Sequence, residues 1–498
     1  MSTQTDFDVI VIGAGIAGLS AAALLSRAGC SVLLLERGAQ VGGVCQAVDS
    51  AAGRVELGAT MLTGFGPDGA VGHLCDRLGI RLTTRPCEPI FQVALQRHRL
   101  SLFADPDRLW PEVRREFPAD EAAWRAFLFE MDLLAREQRN LAALLPACPP
   151  EGLRARLAAW RILGLGKFIG VRKQAVRMIT EAAAVPARTA LARHQLCPAS
   201  QQVIDAALWY LLLRDADECS TLEAAMALHA LREGSVVVSG GISALVEGLR
   251  ERFQETGGQL RLGTEAGGCL AERRRVTGVV TTAGESIRSR WVICAIAPEV
   301  LAGRLLPAQH GWLRRPAPAA GPWPAEYSAI AAAVSVPERY FPSELSERCL
   351  VVPRADWPVR TGNFAAIHAG QDAGGIAGQA DTRTVTVCRF APTDALAADG
   401  AIEASLLDAL DQVLPGVADL RAASQTFGPA ALEGLWGRPL AVVRYARPLP
   451  VHLGRGGFGH RLGWAGMLWA GAWTHPGRSV SDVVEGATAV ADLILESP

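Results

Sequence analysis

The chain has 498 residues, enough for roughly two to four domains. Half of the residues are hydrophobic and a fifth are charged, a globular composition that excludes whole-chain disorder. Lys and Arg total 49 against 50 Asp and Glu, so the net charge is -1 and the basic excess of a nucleic-acid binder is missing. Only two lysines occur, Lys167 and Lys173, and arginine supplies the rest of the positive charge. The eleven cysteines include no CxxC pair and no Cys/His pair at zinc-ligand spacing, so neither a metal site nor a disulfide framework is expected. The polar start of the chain does not resemble a secretory signal, and no run of about 18 uncharged apolar residues suggests a membrane span. These features predict a cytoplasmic protein.

In chain order, Phe7 to Ile12 reads as a buried strand, Gly13 to Gly18 as a glycine turn, Leu19 to Ala28 as a helix and Ser31 to Leu35 as a second strand ending at Glu36. Gly13, Gly15 and Gly18 form GxGxxG between strand and helix, where glycines admit a pyrophosphate and the helix N-terminus faces it. Glu36 lies 18 residues past Gly18, placed to accept from a ribose hydroxyl. From Leu100 to Gln202 the character is helical, with apolar periodicity over Asp105 to Phe117 and Asp120 to Gln138. Leu153 to Ile179 carries arginines and both lysines with no acid. It reads either as a membrane-surface contact or as a solvated helix face. Short strands return at Val236 to Val238, Gln259 to Leu262, Val276 to Thr281, Ser286 to Arg288 and Trp291 to Ala295. A mixed region runs to about Pro450, and the end reads as the strand Met467 to Ala470, a loop and the helix Ser481 to Leu495.

Four segments together carry a family resemblance. They are the Gly42-Gly43 turn after Glu36, Gly58 to Phe65, Ser239 to Leu245 opening a helix, and Gly471-Ala472-Trp473-Thr474-His475-Pro476-Gly477 before the last helix. In this order they resemble the flavoprotein family that includes amine oxidases, phytoene desaturases and carotenoid isomerases. The resemblance is strongest at the two ends. It implies an α/β fold, with a discontinuous Rossmann-like FAD-binding domain and an inserted α+β substrate domain. The implied FAD segments are 1–99, 233–310 and 453–498, and the substrate segments are 100–232 and 311–452.

The same resemblance implies FAD contacts at Gly13, Gly15, Ile16, Ala17, Gly18, Glu36, Arg37, Gly42, Gly43, Val44, Thr60, Met61, Ala266, Gly471, Ala472, Asp482 and Val483. Asp482 stands where the family has a small residue or proline, and it reads equally as a helix-capping carboxylate. Met61, Trp473 and His475 are the candidate substrate-pocket residues, with His475 either a base or a structural hydrogen-bonding group. No catalytic base is assigned. The implied activity is hydride transfer from a long apolar polyene or isoprenoid to flavin N5, in desaturation, saturation or isomerisation. Oxygen or a quinone would be the acceptor, with contact to the inner membrane face through 153–179. The alternatives are an amine oxidase releasing hydrogen peroxide, which two lysines and four tyrosines make less apt, or a flavin-binding protein without turnover.

Overall fold

A computed structural model describes residues 6–66, 69–143, 157–158, 160–161, 173–306, 324–370, 382–396, 399–417, 419, 424–446 and 449–497. Among these, a seven-stranded sheet is built from three distant parts of the chain. Phe7–Ile12 pairs in parallel with Val32–Leu35 on one side and Ser286–Cys294 on the other. Gln259–Arg261 extends one edge, and Met467–Trp469 joins Ser286–Cys294 in parallel. The apolar runs do not alternate because both faces of this sheet are covered, as parallel sheets require. The helix Ile16–Arg27 lies between neighbours, which is why Ala21, Ala22 and Ala23 are fully buried; it packs on the helices Ser243–Glu255 and Val480–Leu495. Ser286–Cys294 is one strand, not the two expected pieces. Its first residues pair antiparallel with Arg275–Thr281 and its last residues join the parallel sheet.

The second sheet has eight strands and is mixed. Ala325–Pro337 is its spine, paired with Thr382–Pro392 over eleven residue pairs and also with Ser424–Phe427 and Val442–Tyr445. Ala365–His368 and Arg348–Val351 follow, and then Phe91–Ala94 and Arg99–Leu102. This corrects the boundary placed at residue 99. Residues 91–102 belong to the second sheet, because Phe91–Ala94 pairs in parallel with Arg348–Val351. The crossing falls earlier, near Thr84–Pro86, which pairs with Val236–Val238.

A helical layer shares its core with the second sheet through Trp124, Phe127 and Trp209. It includes Pro106–Glu116, capped by Asp105, and Glu121–Ala142. It continues with Lys173–Ala184, Ala187–Arg193, Pro198–Leu212 and Thr221–Arg232, the last opened by a Ser220/Glu223 capping box. The basic stretch 153–179 lies mostly outside the described residues; of its cations, Arg161, Lys173 and Arg177 are described and exposed. No helix among the described residues is long and apolar enough to cross a membrane.

Candidate active site

The glycine turn folds as its spacing demands. Gly13 has φ +100°, and a Cβ there would sit 2.6 Å from the Ala295 carbonyl oxygen. A Cβ on Gly18 would lie 1.9 Å from the Gly13 carbonyl oxygen, so that glycine serves close packing of helix on strand and does not line the cleft. At Gly15 a Cβ would meet nothing within 4 Å, because the residue faces open space. Gly15 caps the helix Ile16–Arg27 without a side-chain hydrogen bond, and the first turn holds no acid. Its amides are therefore free to bind an anion. The Gly42 N–H donates to the Ala14 carbonyl (2.8 Å) and Gly42 bridges to Gly15, which brings the second glycine turn against the first. Glu36 accepts from the backbone N–H groups of Ala14 and Gly38, each at 2.8 Å.

These turns open into a cleft of about 790 Å³. One end is lined by Glu36, Arg37, Thr264, Glu265 and Ala266. The middle is lined by Gly13, Gly15, Ile16, Ala17, Gly42, Gly43, Val44, Gly471 and Ala472. Beyond these lie Thr60, Met61, Trp436, Trp473 and Val483, and then a chamber against the second sheet lined by Phe91, Leu350, Ala366, Ile367, Cys388 and Phe390. The chamber wall is thus apolar, with Tyr210, Arg348, His368 and Thr386 as polar exceptions.

Fifteen of the seventeen expected cofactor residues line the cleft, and the two that do not are Gly18 and Asp482. Asp482 forms a capping box with Ser479 and pairs with Arg455 at 2.8 Å, and it lines a second chamber of about 810 Å³. Its carboxylate is committed to the helix terminus and not to the dinucleotide cleft. Met61 and Trp473 line the cleft as expected, but His475 does not. It is 6% exposed, its N–H donates to the Phe458 carbonyl (2.8 Å), and burial, with Arg455 adding, pushes its imidazole down to about 3. The pocket expectation for His475 is therefore corrected: the residue is buried outside the cleft.

Several groups on the cleft wall carry no sequence signal. Arg348 donates from Nη2 to the Thr60 carbonyl (2.8 Å), is almost fully buried, and stands 3.5 Å from His368 Nε2. Burial first, then Arg348 and Arg85, pushes His368 down to about 3, so it is neutral at neutral pH. Burial raises the Tyr210 phenol, which stays protonated beside Thr60. Trp436, Arg438 and Arg478 complete the wall. Arg478 follows the Thr-His-Pro-Gly turn directly and was within reach of the motif; the others come from distant elements. Glu56 supports the floor by accepting from the Ser243 N–H at 2.7 Å, which ties the loop before Gly58 to the helix Ser243–Glu255. Lys173 lines neither chamber, and Lys167 lies outside the described residues.

The amides at a helix start, the acid at the second strand end and a cleft leading to a second sheet define a protein that holds a dinucleotide against a substrate chamber. The chain belongs to the flavin containing amine oxidoreductase family, whose model matches residues 16–495, and it is an FAD-dependent oxidoreductase. It is 24% identical over 305 residues to a phytoene desaturase (neurosporene-forming) of Cereibacter sphaeroides, covering 59% of this chain and 54% of that one. The match thus spans about half of that relative. A hydroxyneurosporene desaturase of Rhodobacter capsulatus is 33% identical over 135 residues, 25% of this chain and 26% of that one. Among solved structures, putrescine oxidase bound to putrescine superposes with a TM-score of 0.61 at 18% identity, covering 99% of each chain, a likeness of fold.

Proposed function

We propose that the protein desaturates, saturates or isomerises a long apolar polyene or isoprenoid. The observation that carries this reading is the apolar chamber continuous with the cofactor cleft, whose wall of Phe91, Leu350, Ile367 and Phe390 offers an extended hydrocarbon surface. The desaturase relatives support it. When bound, FAD supplies a two-electron acceptor for a hydride leaving an allylic carbon. In desaturation the neighbouring carbon releases a proton to solvent and the new double bond takes up the electrons of that C–H bond. The protein's share is orientation of the hydrocarbon. Trp436 and Trp473 wall the cleft, Arg348 fixes the Thr60 backbone, and neutral His368 and protonated Tyr210 add no charge of their own to the chamber wall.

Oxygen or a quinone is the proposed acceptor. Contact with an anionic membrane surface is proposed for the 153–179 region, where Leu157 and Trp160 are exposed. The test is expression in cells that make different polyene precursors, followed by pigment and lipid analysis. A changed polyene profile is expected. Unchanged polyenes, with hydrogen peroxide formed from an amine, would overturn the reading in favour of an amine oxidase. Bound flavin that no polyene or amine reduces anaerobically would leave a flavin-binding protein without turnover.

A further inference from the structure

Two arginines deep in the cleft have no carboxylate partner among the described residues. Around them, Arg444 is paired with Glu218 and Glu326, Arg214 with Glu223, and Arg455 with Asp482 and Glu485. Among the described residues Arg478 makes one hydrogen bond, from Nη2 to the Val443 carbonyl at 2.6 Å, and it lines both chambers where they meet beside Trp473. Arg438 stacks its guanidinium 5.5 Å from the centre of the Trp473 ring. It follows the helix Pro429–Trp436, which is docked on the Gly42-Gly43 turn region, and its charge acts on Cys45 just after that turn. Glu299 is an acid acting on Arg438, whereas only other arginines act on Arg478, so two guanidinium groups share one nearby carboxylate. Burial, with Arg438, Arg214 and Arg444 adding, pushes Arg478 down to about 9. An arginine held against other arginines in a partly buried cleft is stabilised when an anion arrives.

We infer that Arg438 and Arg478 form a clamp for the negative charge of bound FAD, with Arg438 at the pyrophosphate and Arg478 at the flavin ring, where it favours the reduced form. The placement follows from the neighbours. Arg438 sits by the turn that bridges to Gly15 at the helix N-terminus, the phosphate corner of the cleft. Arg478 sits at the start of the helix Val480–Leu495, where the two chambers share Ala472, Trp473 and Ser479. There the helix dipole and a guanidinium act on the same charge. Reduction adds electrons to the ring, so fixed positive charge at that end raises its tendency to accept a hydride.

The test uses the full chain without substrate, so its outcome is independent of the polyene reading. Apoprotein of R438M, R438K, R478M and R478K is titrated with FAD, and the reduction potential of each holoprotein is measured by dye equilibration. R438M is expected to weaken FAD binding by about tenfold or more, the scale of a lost charge-assisted hydrogen bond. R478M is expected to lower the potential, by about 30 mV for each tenfold loss of preference for the reduced form of a two-electron couple. The lysine variants keep the charge and lose the fork, so R478K should hold its potential near that of the parent. They also carry the test if a methionine variant does not fold. Folded variants with unchanged FAD affinity and unchanged potential would overturn the clamp. An R478M effect confined to substrate KM would overturn the assignment of Arg478 to the ring.

Discussion

In the parallel sheet the groups that meet the cofactor sit in turns at strand ends, whereas in the mixed sheet the groups that line the chamber sit within strands. The first arrangement depends on backbone. Gly13, Gly15, Gly42 and Gly43 contribute amides and space, and few substitutions preserve either. The second depends on which side chains a strand turns inward, as with Leu350 on Arg348–Val351, Ala366 on Ala365–His368 and Cys388 on Thr382–Pro392. A backbone site fixes one ligand, while a side-chain wall can be recut for different substrates without touching it.

The sharpest break of this contrast lies within the glycine turn itself. Gly18→Val would drive a side chain into the Gly13 carbonyl, and the overlap cannot be relieved by a rotamer change. The expected outcome is loss of roughly 3 kcal/mol or more of stability and little soluble protein, read by thermal unfolding. Gly15→Val is different. Gly15 has φ -72° and ψ 177°, an extended conformation open to valine, and nothing within 4 Å opposes a Cβ. That variant should fold with near-parental secondary structure yet purify without flavin, because its side chain occupies the cleft. Full flavin content in Gly15→Val would show that the turn is not the cofactor's seat.

The chamber is broken from the other side by Ala366→Phe. Ala366 lines the chamber and is only partly buried, so a larger side chain there fills ligand space more than protein core. Turnover of a polyene should fall more than tenfold in kcat/KM while flavin content and absorbance stay as in the parent. Loss of flavin together with turnover would mean that the chamber wall and the cofactor turns are not separable.

Sequence spacing carried the first region and missed most of the second for a physical reason. GxGxxG, Glu36 and Gly471-Ala472 are each read within a few residues, and local backbone geometry dictates them. Tyr210, Arg348, His368 and Trp436 meet only because a parallel pairing joins Phe91–Ala94 to Arg348–Val351 and long antiparallel ladders join 325–392. No local pattern announces that register, and the boundary at 99 failed for the same cause. His475 was legible as part of a motif but not as a buried group, since its burial comes from the segment at Phe458 and from the helix glycine Gly486.

His475 gives the next measurement. Its folded pKa of about 3 lies below the ordinary histidine value, so the unfolded chain binds the extra proton first. Its contribution to stability is therefore constant above about pH 6.5 and falls as the pH drops from there toward 3, by up to about 1.4 kcal/mol per pH unit. Denaturant titrations at pH 7.5, 6 and 5 should show this acid loss, and His475→Gln should make it shallower, with the share of His368 remaining, while retaining flavin. An unchanged slope in the variant would show that other groups carry the acid sensitivity.

The smallest expected effect tests the reassignment of Asp482. Its Oδ2 accepts from the Ser479 N–H and hydroxyl, and its Oδ1 meets Arg455 at 2.8 Å, all at the start of the closing helix. Asp482→Ala removes the reciprocal half of the capping box and leaves Arg455 with Glu485, so the cost should be about 1 kcal/mol. Flavin affinity should change little, because Val480 and Val483, and not Asp482, line the cofactor cleft. The midpoint potential should likewise stay within the spread of repeat measurements, since the Arg455 pair already neutralises this carboxylate. A potential that rose clearly in Asp482→Ala would mean that the carboxylate's negative charge reaches the ring after all. Asp482 would then belong to the cofactor site along with Val480 and Val483 of the same helix terminus.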